Sequence, residues 1–346
     1  IPGSAEFLEF MALDNVLNFY IFGSPVTMSP SPEIHGTGFK VNGSPHKYSR
    51  FDSDDVEKVF RQLKKDDCGG GSVTIPHKES IKKHMNHLTE AARIIGAVNT
   101  VTKVQGQLKG DNTDWIGIKN QLETRIRQQG RRTTSLCGLV CGAGGTARAA
   151  AYALKQMGAT RVLIFNRTVS RAEDLASEFG FEACGDLDAL RSVEQLHVVV
   201  NTLPGNSEFV LPDRVASILT RCHPVVLEAA YIPRRTAFLL QALAAGCEVV
   251  EGIEMLFEQG CAQCELWTGK PAPRSKIAQA LLQALFTVGS EHPAHAKMQP
   301  YNDLPKSLLL EARSSHASSQ VGMYVGILVV AAAALFLSWR TQMRRR

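Results

Sequence analysis

The fold of this chain is decided by residues 135–147, which read Ser135-Leu136-Cys137-Gly138-Leu139-Val140-Cys141-Gly142-Ala143-Gly144-Gly145-Thr146-Ala147. The first half is short and apolar and predicts a strand, and a helical pattern runs from Arg148 to Met157. Between them lies a G-x-G-x-x-A fingerprint. Its first glycine permits a tight turn, its second lets backbone approach a pyrophosphate, and its small last residue lets the helix pack closely. Residues 142–147 are therefore predicted to bind a dinucleotide at a helix N-terminus.

A second apolar strand, residues 161–165, follows about twenty residues after the fingerprint and completes a βαβ unit. Further apolar runs at residues 197–201 and 224–228 supply more parallel strands. We therefore expect an α/β fold with a doubly wound sheet.

The residues after the strand 161–165 select the cofactor. A site for NAD wants an acidic residue there to bind the ribose hydroxyls, but this chain has Asn166-Arg167-Thr168 and, one helical turn on, Arg171. A carboxylate would repel a 2′-phosphate, whereas guanidinium groups bind one, often with two hydrogen bonds. These residues predict NADP rather than NAD. The alternative is that both arginines only line a solvated helix face.

Two further stretches each place an ionisable residue just after a turn-forming cluster. Residues 72–78 end in Lys78, and residues 110–114 end in Asp114. A lysine and a carboxylate can move a proton to or from a carbinol oxygen when the fold brings them within hydrogen-bond reach. An arbitrary pair of this kind is usually a surface salt bridge. The prediction of a catalytic pair therefore depends on the dinucleotide unit that follows it.

Together these motifs resemble the shikimate dehydrogenase family over residues 18–287. The segments V-T-x-P-x-K, G-A-V-N-T and G-D-N-T-D match the family pattern, and residues 22–35 resemble its substrate loop, whose two serines bind the shikimate carboxylate. The resemblance implies that the substrate is bound by Ser29, Ser31, Thr74, Asn99, Tyr231 and Gln259. It also implies that Asn201 and Met255 contact the cofactor, with the methionine beside the nicotinamide.

The resemblance further implies a reaction, the NADP-dependent and reversible reduction of 3-dehydroshikimate to shikimate in aromatic amino-acid (chorismate) biosynthesis. The cofactor would supply the hydride. Lys78 would donate and accept the proton of the 3-hydroxyl, and Asp114 would orient the lysine and bind a substrate hydroxyl. Two alternatives stay open. One is a quinate or shikimate dehydrogenase that prefers NAD, and the other is a catalytically silent paralogue that senses a pathway metabolite, as the quinate repressors resembling this family do.

Several positions depart from the family pattern. Glu254 stands where a small glycine is typical, and a carboxylate close to the nicotinamide or to an anionic substrate costs affinity unless it points outward. Residues 201–205 also differ, in a loop expected to contact the cofactor. The remaining departures are Met28, Gly36, Glu228 and Glu251. These changes concern activity rather than the fold.

Composition excludes some classes of protein. The net charge of +5 over 346 residues is modest and partly concentrated in a C-terminal tail, which gives no signal for nucleic-acid binding. The eight cysteines are scattered, and Cys261-x-x-Cys264 has no second pair at zinc spacing. We expect thiols in a reducing compartment and no metal site.

The motifs divide residues 1–287 into consecutive units. Residues 1–17 contain no initiator Met and look truncated, and fungal-type multifunctional aromatic-pathway polypeptides carry this dehydrogenase as their last domain. The predicted units are a truncated N-terminal segment (1–17), a shikimate-binding catalytic domain (18–120), an NADP-binding Rossmann domain (121–250) and helices that return to the catalytic domain (251–287).

Beyond residue 287 the composition predicts a linker (288–320), a transmembrane helix (321–339) and a basic tail (340–346). A helix over the uncharged residues 321–339 would be about 28 Å long, against a hydrocarbon core of roughly 30 Å. A buried soluble helix is the alternative. We expect a membrane-anchored enzyme that faces the cytosol or an organelle interior, because no secretory signal is visible. Arginines after the span favour the opposite orientation.

Overall fold

The computed structural model describes residues 16–131, 135–287 and 305–314. The strands in these residues are β1 Asn18–Gly23, β2 Lys47–Asp52, β3 Cys68–Val73, β4 His87–Leu88, β5 Thr100–Val104, β6 Gln107–Asp111, β7 Cys137–Cys141, β8 Arg161–Phe165, β9 Glu182–Cys184, β10 Val198–Asn201, β11 Val225–Glu228 and β12 Glu248–Val250. The α-helices are α1 Ser31–Val41, α2 Val56–Lys64, α3 Glu90–Ile95, α4 Asp114–Gln128, α5 Gly145–Gln156, α6 Val169–Phe179, α7 Asp213–Cys222, α8 Ala237–Ala244, α9 Gly252–Thr268, α10 Arg274–Thr287 and α11 Lys306–Arg313. Short 3-10 helices span Ser80–His84 and Leu187–Ser192.

The N-terminal sheet has the order β2-β1-β3-β5-β6-β4 and mixes parallel and antiparallel pairs. Its inner strand β3 is buried along its whole length, because Cys-Gly-Gly-Gly-Ser-Val offers only small or apolar side chains. Gly70 has a φ of +135°, and a Cβ atom there would lie 2.1 Å from the Val101 carbonyl oxygen. Only glycine therefore lets β3 approach β5 this closely.

The second sheet has the order β12-β11-β10-β7-β8-β9, and its neighbouring strands are all parallel. Its first strand in the chain, β7, lies in the middle, so the chain winds outward in both directions. In such sheets a ligand binds at the carboxyl ends of the strands, where the strand order reverses. Strands β10 and β11 are buried throughout, as apolar runs in a parallel sheet require. The doubly wound sheet predicted from the sequence is present.

Helix α9 packs against the helices that carry the predicted site. It contacts α4, which begins at Asp114, and α1, which begins at Ser31. Helix α4 approaches α9 closely at Gly117, where a Cβ atom would lie 2.8 Å from the Met255 carbonyl oxygen. Residues four apart share a helix face. Gln259 and Gln263 of α9 accordingly both reach hydrogen-bond partners near the N-terminal sheet.

Helix α11 differs from the sequence expectation, which predicts a linker over residues 288–320. Its Leu308 and Ala312, four residues apart, are buried in a cluster with residues of α9 and α10. Arg274 of α10 forms an ion pair with Glu311 at 2.9 Å. Two buried positions on a helix of eight residues are too few to show a helical period in sequence.

The expected membrane helix is corrected by the structure. None of the helices in residues 16–131, 135–287 and 305–314 is both long and apolar enough to span a membrane. A span needs about 20 predominantly apolar residues, and the longest helix of these ranges, α9, has 17 residues and contains Glu258 and Glu265. The predicted span, residues 321–339, lies outside the described residues. We therefore withdraw the transmembrane helix, the membrane partner and the membrane localisation.

The cysteines are free thiols. Cys261 and Cys264 lie buried on α9, and burial raises the pKa of the Cys264 thiol to about 11. A thiol with a raised pKa is a poor nucleophile and a poor metal ligand. Within the described residues no group of three or more His, Cys, Asp and Glu side chains could hold a metal ion.

Candidate active site

Lys78 and Asp114 form an ion pair in the structure. Lys78 Nζ donates to Asp114 Oδ2 at 2.5 Å, and the two side chains are 13% and 5% exposed. Lys78 lies in the turn after β3, where its carbonyl oxygen accepts the Val98 N–H at 2.7 Å. Asp114 begins α4, and its N–H donates to Asn112 Oδ1 at 3.0 Å. Two well-held turns thus present a largely buried pair, unlike a surface salt bridge.

Asn99 holds the other oxygen of the Asp114 carboxylate. Its Nδ2 donates to Asp114 Oδ1 at 2.8 Å and to Gln259 Oε1 at 3.2 Å. Its Oδ1 accepts the Thr113 N–H at 2.7 Å, which fixes the orientation of the amide. The structure therefore brings four of the predicted residues together: Lys78, Asp114, Asn99 and Gln259.

Buried polar side chains continue from Asn99 across the sheet. Gln263 Nε2 donates to the Asn99 carbonyl oxygen at 3.1 Å, and its Oε1 accepts from Ser72 Oγ at 2.8 Å. Ser72 in turn accepts from the Tyr48 hydroxyl at 2.7 Å. The sequence analysis assigned no role to these three residues. The available signal was the four-residue spacing of two uncharged polar side chains, Gln259 and Gln263, within the helical pattern of residues 252–268.

Ser29 and Ser31 lie together where α1 begins. Ser29 Oγ donates to Ser31 Oγ at 3.0 Å, and both residues are buried. Burial raises the pKa of Tyr231, and a hydrogen bond with the Ser29 hydroxyl and the charge of Arg50 oppose that shift. Tyr231 therefore lies beside the two serines. Hydroxyl groups at a helix N-terminus suit an anion such as a carboxylate. The Thr74 hydroxyl, at the end of β3, has no hydrogen bond with the described residues.

The fingerprint turn is tight at Gly142 and open at Gly144. Gly142 has a φ of +115°, and a Cβ atom there would lie 2.3 Å from Thr202 Oγ1. Gly144 is the N-cap of α5, and the nearest atom to a Cβ built on it is 4.0 Å away. Ala147 is fully buried, which lets α5 pack closely. These residues fit a dinucleotide at the start of α5.

The same turn touches the lysine of the ion pair. Lys78 Nζ donates to Thr146 Oγ1 at 3.1 Å. A Cβ atom on Gly145 would lie 2.8 Å from Lys78 Cβ, so this glycine permits the contact. The N-terminal sheet and the doubly wound sheet therefore meet at Lys78.

The arginines expected at the cofactor have different surroundings. Arg171 Nη2 donates to the Ala143 carbonyl oxygen at 3.2 Å and lies 3.5 Å from Glu79 Oε1. Arg167 is exposed and makes no ion pair or hydrogen bond with any residue that the structure describes. Asn166 Nδ2 donates to the Thr168 carbonyl oxygen at 2.9 Å, which shapes the loop. The Arg167 guanidinium is available to a ligand.

Two other residues expected at the cofactor make contacts within the fold. Asn201 Nδ2 donates at 2.7 Å to Oε2 of Glu228, a fully buried residue. Burial raises the pKa of Glu228, and the donors around the carboxylate oppose that shift. Met255 packs in the core cluster that contains Ile118 and Val250. A role for Asn201 and Met255 toward the cofactor stays a prediction.

Three family profiles match consecutive parts of the chain. Residues 21–101 match the shikimate dehydrogenase substrate binding domain, residues 126–234 match shikimate / quinate 5-dehydrogenase, and residues 252–282 match the shikimate 5′-dehydrogenase C-terminal domain. A solved shikimate 5-dehydrogenase from Thermus thermophilus, in complex with NADP(H) and shikimate, is 33% identical. The match covers 78% of this chain and 100% of that one, with a TM-score of 0.67.

The chain belongs to the shikimate dehydrogenase family. A second solved member, from Listeria monocytogenes in complex with shikimate and NAD, is 27% identical over 77% of this chain and 96% of that one, with a TM-score of 0.65. The pentafunctional AROM polypeptide of Komagataella phaffii is 41% identical over 266 residues, which are 72% of this chain. The match spans only 17% of the length of that AROM polypeptide.

Family membership confirms the resemblance stated from the motifs. The profile over residues 126–234 contains the fingerprint, and the profile over residues 21–101 contains Lys78 and Asn99. Asp114 lies between these two matched ranges. The shikimate dehydrogenase fold alone would leave the role of Asp114 open, and its contact with Lys78 is what places it in the candidate site.

Proposed function

We propose that this chain is an NADP-dependent shikimate dehydrogenase that reversibly reduces 3-dehydroshikimate to shikimate in aromatic amino-acid biosynthesis. The observation that carries the proposal is the position of Lys78, whose Nζ bonds both Asp114 and Thr146. One ammonium group therefore borders the predicted substrate site and the turn expected to hold the dinucleotide. NADPH, when bound, supplies the hydride.

Lys78 is the proposed proton donor in reduction and the acceptor in oxidation. Transfer of a proton from Nζ to the 3-oxygen of the substrate neutralises the negative charge that develops there. Asp114 holds Nζ at 2.5 Å, and Asn99 holds the far side of that carboxylate at 2.8 Å. The lysine is thereby oriented before substrate arrives, which lowers the entropic part of the barrier.

The remaining predicted residues would hold the substrate around this pair. Asn99 Nδ2 donates to both Gln259 and Asp114, and Gln259 would bind a ring hydroxyl beside the ion pair. The hydroxyl groups of Ser29, Ser31 and Tyr231 would bind the carboxylate. Hydrogen-bond donors that are already oriented and partly desolvated bind a polar ligand with little reorganisation.

NADP is the proposed cofactor because the residues after β8 suit a 2′-phosphate. Gly144 would leave room for the pyrophosphate, and the guanidinium of Arg167, which pairs with none of the described residues, would meet the 2′-phosphate. Similarity to relatives does not decide the cofactor, since the Thermus thermophilus protein was solved with NADP(H) and the Listeria monocytogenes protein with NAD. The arginine in place of an acidic residue supports NADP.

The test is an assay of the purified chain for oxidation of shikimate and of quinate, each with NADP and with NAD. We expect turnover of shikimate with NADP to exceed every other combination. Faster turnover with NAD, or of quinate, would replace the proposal with the first alternative. Binding of shikimate without turnover would replace it with a metabolite sensor.

A further inference from the structure

Edge strand β2 holds the serine loop, residues 24–30 between β1 and α1, through one of its faces. Successive side chains alternate between faces of a strand, so Tyr48, Arg50 and Asp52 share a face. Asp52 Oδ2 accepts the Val26 N–H at 2.8 Å. Arg50 bonds the Ser29 carbonyl oxygen, through Nε at 3.1 Å and Nη2 at 2.6 Å. This face of β2 therefore sets the position of the loop.

Arg50 has capacity left for a ligand. Its Nη1 makes no hydrogen bond with the described residues, and its side chain is 36% exposed. Its ion pair with Glu33 has Nη2 and Oε1 3.4 Å apart, longer than a charge-assisted hydrogen bond of about 2.8 Å. Because the Glu33 side chain is also 38% exposed, solvent screens this pair. The charge of Arg50 is only partly neutralised.

That charge acts on the group of hydroxyls beside it. Arg50 opposes the burial effect that raises the pKa of Tyr231, so the guanidinium and this phenol lie close enough to interact. Ser29 and Ser31 are neutral and can offer hydrogen bonds but no charge. A carboxylate bound at these hydroxyls would be desolvated, and a nearby cation offsets the cost of that desolvation.

We propose that Arg50 is the cation that selects a carboxylate-bearing substrate and the positioning residue that holds Ser29 for it. This inference rests on the proposed function for the identity of the substrate. Arg50 fixes Ser29 through its carbonyl oxygen and presents positive charge to the ligand bound at the serine hydroxyls. Shikimate carries the carboxylate, and its methyl ester has the same ring and hydroxyls without the charge.

The test measures dissociation constants by calorimetry for shikimate and methyl shikimate, with the wild-type chain and the variants Arg50→Gln, Arg50→Lys and Arg61→Gln. We expect Arg50→Gln to raise the dissociation constant for shikimate about tenfold or more and that for methyl shikimate less than about threefold, because only the acid loses a charged partner. Arg50→Lys keeps the charge without the planar fork and should weaken shikimate by about threefold. The control variant Arg61→Gln, at an exposed position of α2, should change neither dissociation constant.

Equal weakening of the acid and the ester by Arg50→Gln would overturn the inference, because it would assign Arg50 a purely structural role. So would an unchanged affinity for shikimate. If circular dichroism shows that Arg50→Gln does not fold, the wild-type constants decide, because equal affinity of the wild-type chain for shikimate and for its uncharged methyl ester overturns the inference. Binding does not require turnover, so a wild-type chain that binds shikimate without oxidising it overturns the proposed function and leaves this test intact.

Discussion

Arg125 Nη2 donates to Glu254 Oε1 at 2.6 Å, with the two side chains 7% and 2% exposed. The same carboxylate also accepts the Ser307 hydroxyl and, at 2.9 Å, the Glu251 N–H. The sequence alone flagged Glu254 as a charge that could repel the cofactor. Its carboxylate is instead paired inside the fold, where it joins the helix that begins at Asp114 to the helix that carries Gln259.

We expect the substitution Arg125→Met to lower the free energy of unfolding by about 3 kcal/mol, because it leaves the buried Glu254 charge without its partner. Urea denaturation followed by tryptophan fluorescence measures the change. The double variant Arg125→Met with Glu254→Leu should recover most of the loss, since both charges are then gone. Arg127→Met, on the exposed face of the same helix, is the control. A single variant as stable as wild type would contradict this account.

The sequence predicts those parts of the molecule whose signals are local. The fingerprint and the strands around it are contiguous, so the βαβ unit follows from residues 135–165, and the apolar runs at 197–201 and 224–228 extend it to a doubly wound sheet. Lys78 and Asp114 each stand in a short motif, and the family resemblance then pairs them. Both features need only a pattern that spans a few residues.

Features that depend on remote partners are absent from the local pattern. Arg125 and Glu254 are 129 residues apart, and the direction of each side chain is fixed only by helix packing. The contact of Arg50 with Ser29 joins a strand to a loop 21 residues earlier. Gln263 bonds Asn99 across 164 residues. Such contacts come from tertiary structure, and propensity and periodicity carry no information about them.

Lys78→Met should lower the turnover of shikimate by about 100-fold to 10,000-fold, the usual contribution of a general acid or base. The dissociation constant for NADP should change little, because the expected contacts to the cofactor come from the turn at Gly142 and from Arg167. Steady-state kinetics and calorimetry measure the two quantities. Lys83→Met removes an exposed lysine nearby and should leave both unchanged. Wild-type turnover in the Lys78 variant would contradict the proposed role.

Asp114→Asn keeps the shape of the side chain and removes the charge that faces Lys78. We expect turnover to fall by about 100-fold or more, because the amide cannot both accept from Nζ and match the Asn99 donor. The circular dichroism spectrum of the variant should match wild type. Wild-type turnover in a variant with an unchanged spectrum would contradict the assignment of Asp114 to orienting the lysine.

Arg167→Gln should raise the KM for NADP by about tenfold and leave the KM for NAD within about twofold, because only NADP carries the 2′-phosphate. The matched control is Arg191→Gln, an exposed arginine whose partner is Asp188 at 3.8 Å. Initial rates at saturating shikimate, with each cofactor varied, give the two KM values of the wild type and of each variant. An equal rise in the KM for both cofactors would mean that Arg167 stabilises the loop and does not bind the 2′-phosphate.

We expect His35 to make the stability of the fold sensitive to acid. Its ring is fully buried between Tyr48 and Trp267, with centroid distances of 4.5 and 4.7 Å. Burial lowers the pKa of His35 from 6.5 to about 3, and Gln263 opposes only part of that shift. Between these two pH values the unfolded chain binds the proton and the folded chain does not. Stability contributed by the neutral ring is therefore present above pH 6.5 and is lost as pH falls.

The free energy of unfolding should accordingly fall by roughly 1.5 kcal/mol between about pH 6.5 and 5 through this residue alone. His35→Leu removes the titrating group and fills similar space. Over that pH range the free energy of unfolding of this variant should therefore fall by roughly 1.5 kcal/mol less than that of the wild type. Urea denaturation at each pH measures the difference between the two slopes. The control is His87→Gln, which replaces an exposed histidine. If His35→Leu also keeps the wild-type slope, another buried group, and not His35, carries the acid sensitivity.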